Sequence, residues 1–216
     1  MSRGRGRLIV FEGGEASGKS TQVRLLAEWL AQRGVPVLTA RDPGGTAVSE
    51  AIRRVLLDPG SRPMAPESEL LLYAAARAQL VCEVVEPALA QGKVVLLDRF
   101  EDSTFAYQGG ARRLAEELVR GANAIATGGL EPDLVVLLDV PVEEGRRRRR
   151  ADLSRAGDDR MERESAEFHD RVREAYRARA AAAADRYLVV DGQGSLTTIQ
   201  EQVRRRVLAL IASEKD

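Results

Sequence analysis

Gly13 and Gly18, followed directly by Lys19 and Ser20, are the first residues whose types and spacing suit a definite chemistry. They form G-x-x-x-x-G-K-S, preceded by the apolar run "LIVF" and followed by an amphipathic run, the context in which this spacing builds a phosphate cradle. Glycines let consecutive backbone amides curl around phosphate oxygens, and a helix N-terminus behind them adds positive potential. Lys19 is placed to reach the β and γ oxygens of a nucleotide, and the Ser20 hydroxyl to ligate Mg²⁺. The expected donor wall is Gly13, Gly14, Glu15, Ala16, Ser17, Gly18, Lys19, Ser20 and Thr21. Glu12 before the cradle and Glu15 inside it are out of place, because a phosphate site should repel carboxylates.

A second acidic element is needed for the metal, and two strand-like runs offer one. "VVLLDR" ends on Asp98 and "VVLLDV" on Asp139. The pattern leaves either open as the metal-facing group or as a helix cap, the commoner use of such an aspartate. Arg99 favours Asp98, since phosphoryl transfer needs a cation where anions crowd. No N-K-x-D guanine-reading element follows, which favours ATP over GTP as donor.

These residues require a scaffold, and the hydrophobic pattern supplies one. Near-continuous apolar runs at Arg7–Glu12, Val35–Ala40, Lys93–Asp98, Leu134–Val140 and Arg186–Asp191 predict parallel strands buried on both faces. Helical periodicity lies between them, at about Lys19–Arg33, Ala47–Leu57, Pro66–Gln91, Leu114–Ala126, Val142–Ala151, Arg160–Ala184 and Leu196–Ala212. The expectation is an α/β fold of the P-loop NTPase kind, a parallel sheet of about five strands with helices on both faces. Residues 1–216 carry no linker or fixed-period repeat and form one expected domain. The polar stretch Ala151–Asp159 is expected to be a mobile lid.

Composition excludes other classes. Lys+Arg and Asp+Glu both number 33, so nothing overall argues for nucleic acid or a membrane surface. The run Arg146–Arg150 lacks interleaved aromatics and reads as a solvated helix end. Cys82 is the only cysteine, so no internal disulfide can form. The apolar run Leu8–Phe11 is too short for a signal-peptide core, and no run approaches the roughly 20 residues of a membrane helix. A cytoplasmic protein is expected.

Beside the cradle stand "RDPGGT" (Arg41–Thr46), "YAAARAQLV" (Tyr73–Val81), "DRFEDSTFAYQGG" (Asp98–Gly110) and "DDRMERE" (Asp158–Glu164). In this order the chain resembles the bacterial thymidylate kinases over nearly its whole length. The resemblance implies ATP-dependent phosphorylation of dTMP to dTDP, assisted by Mg²⁺ at Ser20 and Asp98, in a homodimer. It implies that Tyr73 stacks on thymine and that Arg77, four residues on and on the same helix face, grips the dTMP phosphate. Arg41 and Pro43 would lie against the acceptor, Ser103 and Thr104 would line the base pocket, and Tyr107 would close on the sugar with Gln108 nearby. Arg99 would bridge the two phosphates, and Glu15 would face the acceptor sugar hydroxyl. Arg148 matches the residue that stacks on adenine, and Arg155 and Arg160 are the catalytic lid arginines. The family usually has Glu where Asp42 stands, and Tyr or His where Phe100 stands. His169, the only histidine, is expected to be structural or solvent-facing. A kinase for another nucleoside monophosphate or a deoxynucleoside, and a P-loop protein that transfers nothing to a small molecule, are the rival readings.

Overall fold

A computed structural model describes residues 5–61, 63–152 and 158–212. Five parallel strands form one sheet: β1 (Leu8–Gly13), β2 (Val37–Arg41), β3 (Val94–Asp98), β4 (Leu134–Asp139) and β5 (Tyr187–Asp191), in the order β2-β3-β1-β4-β5. All pairings are parallel, but burial on both faces holds only for the inner strands: β2 and β5 are the sheet edges, β2 has no fully buried residue and β5 is partly exposed. β1 is central, and every residue of it is buried. One sheet face, carrying Ile9, Phe11, Leu96 and Val136, packs on α1 (Lys19–Ala31) and on α9 (Leu196–Ala212) through Val23, Leu26, Val203 and Val207. On the other face, Leu8, Val10, Val95 and Leu97 meet Leu80, Val85 and Leu89. Val135 and Leu137 meet Phe168, Val172 and Tyr176 of α8 (Ala166–Ala182). Each such fully buried side chain is worth ~1.5–3 kcal/mol of transfer free energy, which fixes the strand ends where the chemistry must sit.

The remaining helices are α2 (Ala47–Leu57), α3 (Pro66–Leu80), α4 (Glu86–Ala90), α5 (Glu101–Thr104), α6 (Glu116–Thr127) and α7 (Val142–Ala151). Two depart from the sequence expectation, and a third segment had none. The single helix expected over Pro66–Gln91 is divided by a π-helical segment at Val81–Val85, just before Pro87, which brings no amide for an i−4 bond. α8 begins at Ala166, not at Arg160. The Ser165 hydroxyl caps it by accepting from the Phe168 amide, while Asp159 accepts from the Met161 and Glu162 amides and closes a separate turn. Between β3 and α6, α5 continues as π-helical turns over Phe105–Ala111, which carry Tyr107 and Gln108 inward. Local widening of this kind recurs at functional sites. Of the expected lid, residues 153–157, with Arg155, lie outside the described residues.

Candidate active site

The cradle forms where β1 ends. Gly13 has φ 141°, and a Cβ there would lie 2.5 Å from the Leu138 carbonyl oxygen, so only glycine lets the loop cross β4 this closely. Gly18 has φ 97° and precedes α1, whose first amides face the loop. The Lys19 ammonium donates to the Gly14 carbonyl at 2.8 Å and the Gly13 carbonyl at 3.2 Å. Burial and the neighbouring Arg99 push it down to about 8, against the pull of Asp98, Glu15 and Glu12.

Two cavities meet at this loop. The larger, of about 470 Å³, is walled by Glu15 through Thr21 with Asp98, Arg99, Arg148 and Arg149. The smaller, of about 90 Å³, is lined by Pro43, Tyr73, Arg77, Ser103, Thr104, Tyr107 and Gln108. Glu15, Asp42, Arg53, Arg99 and Asp159 line both, so a group passing from one cavity to the other must cross them.

Arg99 occupies the junction in a left-handed conformation, φ 72°. Its Nη1 donates to the Gly13 carbonyl at 3.0 Å, and its Nη2 to Glu15 Oε1 at 2.8 Å and to the Tyr107 hydroxyl at 3.2 Å. Tyr107 donates to the same Glu15 oxygen at 2.9 Å. Burial alone would push the Glu15 carboxyl up, but Arg99, Lys19 and the Tyr107 hydroxyl outweigh it and hold it at about 2. The misplaced glutamate therefore points out of the cradle, across to the smaller cavity, with its charge matched by Arg99.

The two aspartates have different partners. Asp98 Oδ2 accepts from the Ser20 hydroxyl at 2.5 Å in the larger cavity, whereas Asp139 is held by Arg173 through two hydrogen bonds, at 2.6 and 3.0 Å. Ser20 and Asp98 are hard oxygen donors side by side. Among the described residues no cluster of three or more acidic, histidine or cysteine side chains could hold a metal alone. That donor set fits Mg²⁺, which binds through one or two protein oxygens plus nucleotide phosphates.

The other expected residues fall in varied places, Gln108, Arg148 and His169 where they were expected, and Arg41 and Arg160 elsewhere. Arg77 is buried, lines the smaller cavity and does not line the larger one. Its Nε donates to Asp42 at 2.5 Å, its Nη1 to Thr104 and Asn123, and its Nη2 to the Phe100 carbonyl. All three guanidinium nitrogens are thus already engaged within the protein. Asp42, one methylene shorter than the family's usual Glu, thus serves as the counter-charge of Arg77. Arg160 turns away from both cavities: it is buried, donating to the Leu56 carbonyl and to Glu69 Oε2 at 2.5 Å. The reason is the closed turn at Asp159, which points residue 160 at α2 and α3. Arg41 lines the larger cavity rather than the acceptor one and pairs with Glu50. Gln108 donates to Glu69 and is buried. Arg148 lines the larger cavity, held by Glu144 and the Gly192 carbonyl. His169 is buried, edge-on to Phe168 at 5.5 Å. Two cavity cations were not anticipated, Arg53 and Arg149. Arg53 sits four residues before the end of α2 and donates to the Pro43 carbonyl; in sequence it is one of a solvated-looking "RR" pair.

The comparisons with known proteins agree with one another. A family model described as thymidylate kinase matches residues 11–203. The thymidylate kinase of Chromohalobacter salexigens is 47% identical over 210 residues, covering 96% of this chain and 98% of the relative. That of Pelobacter propionicus is 48% identical over 206 residues, 94% of each chain. That of Nostoc sp. is 48% identical over 200 residues, covering 92% of this chain and 94% of the relative.

Proposed function

The chain belongs to the thymidylate kinase family, and from that premise we propose that it transfers the γ-phosphoryl group of ATP to dTMP, giving ADP and dTDP. The observation that best supports this reading is the pair of cavities meeting at Arg99, Arg53 and Glu15, one walled by the phosphate cradle and the other by Tyr73, Arg77 and Thr104. ATP would lie in the larger cavity, phosphates on the loop amides and Lys19, adenine toward Arg148. Ser20 and Asp98 would hold Mg²⁺, which would supply positive charge against the donor phosphates. dTMP would enter the smaller cavity with its base toward Tyr73, Thr104 and Arg77. Its phosphate would then stand between Arg53 and Arg99, and its sugar hydroxyl near Glu15.

An acceptor phosphate, with a second pKa near ~6, is already largely ionised at neutral pH, so the site needs no strong base. Catalysis is alignment of two anions and stabilisation of the charge between them. Measuring ADP release across a panel of nucleoside monophosphates and nucleosides tests the proposal. dTMP should stimulate release far above any other acceptor; release driven better by another monophosphate, or by none, would overturn it.

Arg77→Ala should raise the KM for dTMP by about tenfold or more, with kcat changed by less than about threefold, because a group that lines only the acceptor cavity acts in binding. The same variant should lower Tm by several degrees, since it leaves Asp42 a buried carboxylate without its partner. An unchanged dTMP KM would remove Arg77 from the acceptor site.

A homodimer is part of the proposal. Val48 and Val55 on α2, Leu71 on α3, and Leu118 and Ile125 on α6 are exposed apolar side chains on helices packed side by side, Ile125 being 83% exposed. A second copy of this face is the covering we propose. Sedimentation should give twice the 23.6 kDa chain mass, and Ile125→Asp with Leu71→Asp should shift it to monomer. No described helix is long and apolar enough to cross a membrane. We propose small-molecule nucleotides, not nucleic acid or membrane, as its partners, and the cytoplasm, where both substrates are found, as its setting.

A further inference from the structure

Behind Arg99, on the side away from both substrates' cavities, lies a buried carboxylate that the proposed mechanism does not use. Glu12 is fully buried at the end of β1. Its Oε1 accepts from the Phe100 amide at 2.8 Å and the Ser103 amide at 3.2 Å. Its Oε2 accepts from the Ser103 hydroxyl at 2.7 Å and the Tyr176 hydroxyl at 2.8 Å. These same two hydroxyls are the acceptors of Arg99 Nη1, at 3.3 Å and 3.1 Å.

We infer that Glu12 is a positioning residue for Arg99, acting through the backbone of Phe100 and through the hydroxyls of Ser103 and Tyr176. Two contacts carry this. The amide of Phe100 immediately follows the left-handed Arg99, a conformation a non-glycine residue adopts only when its surroundings hold it there. Glu12 holds it from one side, and the Arg99 amide, donating to the Phe11 carbonyl at 2.9 Å, from the other. The second contact is a matter of protons. Oε1 already accepts from two amides, so it accepts only. The two hydroxyls also lie 2.8 Å from each other, and an ionised Glu12 Oε2 offers them an acceptor and no hydrogen, so their hydrogens go to Oε2 or to one another and their lone pairs stay turned to Nη1 of Arg99. The carboxylate charge reaches the guanidinium through them.

Burial, then Asp102, push the Glu12 carboxyl up to about 7, while Arg99 and the hydroxyls of Ser103 and Tyr176 pull the other way. A carboxylate kept in such a place, without contact to either cavity, is explained by what it orders. Glutamine is nearly isosteric and still accepts from the two amides. Its NH₂, however, donates to the hydroxyls and so competes with Arg99 Nη1 for their lone pairs.

The inference rests on the proposed phosphoryl transfer for its kinetic arm only. Glu12→Gln should lower kcat about 10–100-fold, with the KM values for ATP and dTMP changed by less than about threefold. In an Arg99→Ala background the same substitution should cost less than about twofold, because the group it positions is gone. An equal loss in both backgrounds, or no loss in either, overturns the inference. Tyr176→Phe, which removes one hydroxyl, repeats the cycle should Glu12→Gln fold poorly; about 3–10-fold with Arg99 present and none without it are expected. The second arm needs no turnover. In arginine-labelled protein the Arg99 side-chain resonances, assigned by their loss in Arg99→Ala, should be distinct for a rotationally held guanidinium and should merge in Glu12→Gln. If the protein shows no dTMP-stimulated ADP release, the functional proposal fails and this arm alone decides: resonances unchanged by Glu12→Gln reject the positioning role, and merged ones support it.

Discussion

Replacing Arg99 by alanine is expected to lower kcat about a thousandfold, while the KM for ATP stays within about threefold and Tm within a few degrees. The magnitude follows from where the guanidinium stands. It lines both cavities, as Arg53 also does, so it flanks the path of a group moving from one to the other. It is preorganised: five hydrogen bonds from its two Nη atoms aim it before substrates arrive. Preorganised charge in a water-poor site stabilises a transition state without reorganising at the moment of reaction, and its removal costs far more than a surface charge would. ATP should still bind, because the loop amides and Lys19 make their contacts independently of residue 99. Turnover within tenfold of the parent enzyme would remove Arg99 from the mechanism. A parallel rise in the ATP KM would make it a donor-site residue instead.

The strands and the cradle were legible in the sequence for one reason: their determinants are local. A buried parallel strand must be apolar on both faces, so "LIVF", "VVLLD" and "LVVLLD" announce themselves; β3, β4 and β5 fall within their expected runs, and β1 and β2 each extend one residue past theirs, to Gly13 and Arg41. The cradle depends on glycines at a fixed spacing, and Gly13 and Gly18 stand where φ is positive. What was not legible depends on partners far along the chain. Arg160 lies in a run that predicts a phosphate-facing arginine, yet its direction is set by Glu69, 91 residues away. Arg53 and Arg54 look alike in sequence, and only the packing of α2 against α3 turns Arg53 to the cavities. Glu12 is the sharpest case. Next to a phosphate loop it reads as a mistake, and its partners Phe100, Ser103 and Tyr176 lie 88, 91 and 164 residues on.

Glu15 carries the second large expectation. Glu15→Ala should lower kcat/KM for dTMP about 100–1,000-fold and leave the KM for ATP within about threefold. Two losses combine in it. The acceptor sugar loses a charged hydrogen-bond acceptor, the stronger kind. Arg99 Nη2 and the Tyr107 hydroxyl lose the oxygen on which they converge, so the junction between the cavities loosens. Glu15→Gln separates charge from shape, since its amide oxygen can still accept from Arg99, and should cost only about tenfold. The pH dependence has a definite sign. The Glu15 carboxyl sits at about 2, below its ordinary 4.5, so the stability it contributes is complete above pH 4.5 and is lost as pH falls toward 2. Wild type should therefore melt above Glu15→Gln at pH 6 and 7, with the gap closing below about pH 4. A constant gap down to pH 3 would mean that the Arg99 contact is not what holds the charge. An ATP KM raised as much as that for dTMP would return Glu15 to the donor side of the loop.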